Sequence, residues 1–211
     1  MKVVHYHDGS EEEKFASSIF KTALMTIFYE WKLDTLEIRI SSKDGVELVG
    51  NCGKIFINRN NEFIRTKDEL GIKAVFLERI MELILLCDGI KIEAKNEIEK
   101  IAKEFLIDRL LVKNFEGLVF HKNLVEISKS EMVEPTEWFK GNLWCMVFHK
   151  VDEWSKEYLR KIIEKKDRKK FSFIFEEIEP ALSEFDESIK TEEDFREALK
   201  KITRIYDKIE K

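Results

Sequence analysis

The sequence predicts an α+β fold dominated by helices. A small antiparallel sheet packs on a buried central helix, and an all-helical C-terminal region follows. Three observations carry this. The stretch Asp68–Gly89, DELGIKAVFLERIMELILLCDG, is apolar on nearly every side of a helical wheel, so it must be buried on most sides. Short runs ahead of it alternate apolar and polar residues with the period of a strand. Behind it, apolar residues recur at helical spacing almost to the C-terminus. Only 8 glycines and 2 prolines interrupt the 211 residues.

Taken in order, Val3 to His7 predicts a short strand. Ser10 with Glu13 makes a capping box, and Phe15, Ile19, Phe20, Ala23, Leu24, Ile27, Phe28 and Trp31 continue the helix to about Lys32. Leu36, Ile38 and Ile40 alternate with Glu37 and Arg39, a half-buried strand. After a polar turn, Val46–Val49 and Lys54–Asn58 read as strands joined by Gly50-Asn51-Cys52-Gly53. Asp68 caps the central helix and Gly89 ends it. Lys73, Glu78, Arg79 and Glu82 interrupt its apolar run, so it is not a membrane span.

A second helix is expected from Ala94 to Val112, a break at Asn114–Gly117, and either a short helix or an extended connector over Leu118–Ser130. Pro135-Thr136 opens a long amphipathic helix through Trp138, Phe148, Trp154 and Ile162, interrupted near Gly141. Phe171–Ile189 is helical in part, with a break at Pro180. Thr191 and Asp194 open the last helix, whose seam of Phe195, Leu199, Ile202, Tyr206 and Ile209 packs on another helix. These elements divide into an α+β domain over 1–129 and a helical region over 130–211.

Charged residues make up 37% of the chain, with Lys and Glu intermixed, a composition that suits a heat-tolerant protein. The net charge of −5 opposes general binding to nucleic acid or acidic lipid, although a local patch escapes such an average. The 3 cysteines are far apart and form no CxxC, as expected of reduced thiols in the cytoplasm. The first residues do not read as a signal peptide, and no stretch is expected to cross a membrane.

The order helix, small sheet, buried helix, second helix, together with the residues around Glu78, resembles a zincin-like metallopeptidase core of the gluzincin type over roughly 36–112. Leu77-Glu78-Arg79-Ile80-Met81 stands where such a core carries H-E-x-x-H, and Glu99–Leu106 is similar to its following acidic helix. The resemblance implies a zinc peptidase, but the two histidine positions hold Leu77 and Met81. Leucine has no donor, and a thioether is a poor partner for zinc. Only Glu78 survives, as the vestige of a catalytic residue. The expectation is a pseudoenzyme with no metal and no cofactor.

Other chemistry is sparse. Glu78 and Glu82 share a helix face, the arrangement of an acid–base or metal-binding pair and equally of a charged strip. His5 and His7 point the same way from a strand but have no evident third ligand. Cys52 sits in a turn with no base placed beside it. Lys54 after that turn does not make a P-loop. Lys165, Lys166, Arg168, Lys169 and Lys170, with Phe171 and Phe173 beside them, are the one basic concentration and the candidate nucleic-acid surface. Acidic neighbours dilute it. The stripe Trp144, Phe148, Val151, Trp154, Tyr158 reads as core; any exposed part would mark a partner surface. The sequence therefore favours a non-catalytic interaction or scaffold protein with a protein partner or self-association, possible as a dimer through the C-terminal helices. An enzyme with an unrecognised metal or carboxylate site and a nucleic-acid binder are the alternatives.

Overall fold

The computed structural model describes residues 1–91, 93–167, 179–180 and 191–209, with residues 208 and 209 described by their backbone alone. The chain forms two compact units, Met1–Gly89 and Ile90–Lys211.

The first unit is α+β. Strand β1 (Lys2–Tyr6) leads to helix α1 (Glu11–Leu24), then β2 (Thr35–Ser41), β3 (Gly45–Val49), β4 (Cys52–Asn58), the short α2 (Glu62–Thr66) and the central helix α3 (Glu69–Cys87). The strand order is β1-β2-β4-β3. The expected antiparallel sheet is in fact mixed. β1 pairs with β2 in parallel, β2 with β4 in parallel, and only β3 and β4 are antiparallel. Helix α1 is the reason for the first pairing: it returns the chain to the end where β1 began. The tight turn at Gly50-Asn51 folds β4 back along β3, and β4 inserts beside β2, leaving β3 at the edge.

Alternation in the strands sorts their side chains cleanly. Leu36, Ile38, Ile40, Ile55 and Ile57 are buried, while Thr35, Glu37, Arg39, Lys54 and Phe56 are half-buried. The buried face meets the helices. The Gly53 position is so close to α3 that a Cβ there would stand 2.9 Å from Leu83. Phe20 of α1 stacks on Phe76 of α3 with ring centroids 4.6 Å apart. His5, which shares the face of Ile38, bonds Ser17 of α1. Both long helices thus lie on one side of the sheet.

Ser10 caps α1 by accepting from the Glu13 backbone N–H at 3.2 Å. The helix ends at Leu24, earlier than the apolar spacing suggested, and Met25 and Phe28 stand exposed beyond it. Asp68 caps α3 by accepting from Gly71, and Gly89 lies at φ +82° past its end.

The second unit is helical: α4 (Glu97–Lys129), α5 (Pro135–Met146), α6 (Glu153–Lys166) and α7 (Glu192–Ile209). Helix α4 packs with α5, α6 and α7 and belongs with them. The boundary between the units therefore falls at Gly89, not near Lys129. Helix α4 is kinked at Phe115, inside the expected break, and Leu118–Lys129 continues as helix. The kink is sharp. Asp108 and Lys122 would stand about 21 Å apart along a straight helix, yet their side chains form an ion pair at 2.8 Å. The two arms must fold back toward each other.

The interruption expected at Gly141 occurs instead between α5 and α6. Lys150 takes a left-handed φ of 61° and Asp152 caps α6 by accepting from Trp154 and Ser155. Gly141 stays helical and serves packing: a Cβ there would meet Met132 at 2.9 Å. Phe195, Leu199, Ile202 and Tyr206 of α7 are buried as their spacing predicts, and Tyr206 meets Phe139 at 5.3 Å. The reading of Phe171–Ile189 lies outside the described residues, apart from Glu179 and Pro180. No helix among the described residues is long and apolar enough to cross a membrane.

Candidate functional site

Helix α3 places the stretch Leu77–Met81 that resembles H-E-x-x-H. Leu77 is buried and Met81 half-buried, so both histidine positions are filled by packed apolar side chains. Glu78 and Glu82 are buried as well. Arg79 stands between them in sequence. It makes a two-pronged ion pair with Asp44 at 3.0 and 3.1 Å, and a further pair with Glu82. Burial opposes the charge on Arg79, but Glu82, Asp44 and Glu78 together outweigh it and hold the guanidinium above its ordinary pKa. This is a charge network whose cation is supplied by the chain itself. No group of three His, Cys, Asp or Glu side chains among the described residues is placed to hold a metal ion.

His5 and His7 do not act together. His7 lies beyond β1 and is exposed, while the Nδ1 of His5 lies 2.9 Å from Ser17 Oγ. Burial, with Lys21 and His7 nearby, lowers the His5 pKa, which favours the neutral ring. Cys52 is the first residue of β4 and half-buried.

The structure divides the basic candidates. Lys165 is exposed. Lys166 turns inward and donates to the carbonyls of Ile127, Ser128 and Ser130 at 2.8, 2.6 and 2.8 Å. All three of its N–H bonds thereby cap the C-terminus of α4, where a cation also complements the helix dipole. Arg168, Lys169 and Lys170 lie outside the described residues.

Sequence reasoning missed a buried polar centre on α6. Lys156 reaches Glu153 at 2.7 Å, Glu179 at 2.8 Å and His149 Nδ1 at 3.5 Å. Burial disfavours its charge, but the two carboxylates raise its pKa above the ordinary lysine value. A lysine held in its charged form is no nucleophile. The i, i+3 spacing of Glu153 and Lys156 was the available signal; Glu179 was too distant in sequence to connect.

The aromatic stripe splits in two. Trp144 and Phe148 are core, whereas Trp154 is 66% exposed and Tyr158 43%. Their rings stack at 5.2 Å, and Phe120 of α4 lies 5.9 Å from each. Val151 extends the exposed apolar surface. Glu157, Arg160 and Glu164 form salt bridges on the same helix, so α6 carries charges of both signs.

Comparison with protein-family models, with curated proteins and with solved structures finds no match for this chain.

Proposed function

We propose that the chain is a non-catalytic interaction protein, built on a zincin-like core that has lost its metal site, and that it self-associates through the aromatic face of α6. The exposed Trp154–Tyr158 stack carries this reading. Large aromatic side chains left in water are the anchors from which protein interfaces are made. The mixed-sign charges on α6 complement a second copy of the same helix laid against it. The zincin ancestry is supported by the helix–sheet–buried-helix order of the first unit and by the position of Glu78 on the buried helix.

Light scattering across a concentration series tests the self-association. Wild type is expected to gain mass with concentration, and Trp154→Ala with Tyr158→Ala to stay at one chain. A wild type that remains one chain at every concentration overturns it. Elemental analysis of natively purified protein tests the lost metal site, with no stoichiometric zinc expected. One tightly held zinc per chain would show that ligands exist and would reopen the enzyme reading.

A further inference from the structure

The sheet of the first unit has a second face that its helices do not cover. Register places its side chains in rows across the strands. One row holds Tyr6, Arg39, Phe56 and Gly45. The next holds Val4, Glu37, Lys54 and Glu47, and the third Lys2, Thr35, Cys52 and Val49. Tyr6 is 43% exposed and Phe56 half-buried. Gly45, beside Phe56, leaves open space where a side chain would stand.

We propose that this face binds single-stranded nucleic acid, stacking bases on Tyr6, Arg39 and Phe56 and holding phosphates with Lys2 and Lys54. The aromatic row is built for planar ligands. The Arg39 guanidinium stands 4.2 Å from the Tyr6 ring centroid and is anchored by Glu37 at 2.7 Å. The Lys43 ammonium stands 5.3 Å from the Phe56 centroid. Tyr6 and Phe56 are two strands apart, about 10 Å, with a planar cation between them. Bases stack on aromatic rings and on guanidinium planes alike, and a sheet surface with ordered aromatics is a known way to hold them.

The charge is complementary to a phosphate chain. Both carboxylates on the face are neutralised, Glu37 by Arg39 and Glu47 by Lys43. Lys2 and Lys54 have no acidic partner among the described residues. The face is therefore net positive on a chain of net charge −5. A protein partner fits less well, because the centre of the face is ionic and its apolar residues Val4 and Val49 are separated from each other by Glu37, Lys54 and Glu47. A duplex fits less well too, since a flat sheet face offers nothing to enter a groove.

The test is fluorescence anisotropy of the full chain with labelled oligo(dT), oligo(rU) and a duplex of equal length. Single strands are expected to bind more tightly than the duplex. Two phosphate contacts predict a log–log salt slope of about −1.4, and Lys54→Gln should reduce it by about 0.7. Tyr6→Ala and Phe56→Ala should each weaken binding about tenfold, and Tyr6→Phe should retain it. Circular dichroism confirms that each variant is folded. A preference between dT and rU identifies the strand as DNA or RNA. No binding, equal binding of duplex, or binding indifferent to both ring deletions overturns the proposal.

Discussion

Removing the Lys122 ammonium should be among the most damaging single changes in the second unit. Lys122 and Asp108 are buried, with Nζ 2.9 and 2.8 Å from the two carboxylate oxygens. They lie on opposite arms of α4, each seven residues from the kink at Phe115. Lys122→Met keeps most of the packing volume but removes a directly bonded cation from the buried Asp108 carboxylate, a loss of about 3–5 kcal/mol. Replacing both partners, Asp108→Leu with Lys122→Met, removes the buried carboxylate together with its cation, and the double variant should recover to within about 1–2 kcal/mol of wild type. Urea unfolding followed by tryptophan fluorescence reads this unit preferentially, because Trp138, Trp144 and Trp154 lie in it. A Lys122→Met variant within about 1 kcal/mol of wild type would refute a buried pair. A double variant as unstable as the sum of the singles would refute the coupling between the arms.

Gly71→Ala should reverse the usual helix preference. Alanine gains about 1 kcal/mol over glycine inside a helix, but a Cβ at Gly71 would stand 2.0 Å from the Phe63 ring, so a net loss of roughly 1–3 kcal/mol is expected in thermal unfolding. Asn123 is fully buried and neither amide atom has a hydrogen-bond partner among the described residues, so Asn123→Leu should stabilise by about 1 kcal/mol in urea; destabilisation would reveal a partner for the amide. Burial lowers the pKa of His5, helped by Lys21 and His7, and that of His149, helped by Lys156 against Glu153 and Glu179. The unfolded chain therefore binds more protons as pH falls below about 6.5, and stability falls through the lowered folded values. Melting temperatures from neutral pH to about pH 5 should show this decline, and His5→Gln with His149→Gln should flatten it. Lys166→Gln should cost roughly 1–2 kcal/mol in urea unfolding through the lost cap on α4, and should leave single-strand affinity unchanged.

What the sequence disclosed was local. The Ser10 and Asp68 caps, the buried faces of β2 and β4 and the seam of α7 all follow from patterns within a few residues. Strand order did not. Period-two alternation says which face a side chain takes and nothing about which strand lies beside it, so the parallel pairings stayed hidden. The break between α5 and α6 was misplaced because Gly141 is a familiar breaker, whereas Lys150, which takes the left-handed turn, carries no such mark. The long-range partners Asp108–Lys122, Lys156–Glu179 and Lys166 with the α4 carbonyls were illegible for the same reason. In each, the charged side chain alone is an ordinary residue on a helix. Arg39 read only as the polar side of its strand, and the register alone set it in one row with Tyr6 and Phe56.

The charges on α3 illustrate what burial demands. A helix apolar on nearly every side has little room for ionised groups, yet Glu78, Arg79 and Glu82 follow closely on it. Their desolvation is bearable because Arg79 meets Glu82 and Asp44 directly and feels Glu78. The same network disfavours a bound metal ion at this place. A divalent cation beside Glu78 would face the Arg79 guanidinium at short range, in surroundings of low dielectric where like charges repel strongly. Leu77 and Met81 offer no such cation a ligand, and Arg79 adds a repulsive charge beside them. The charge is balanced by a cation of the chain itself, and Leu77 and Met81 suit a helix packed on most of its sides.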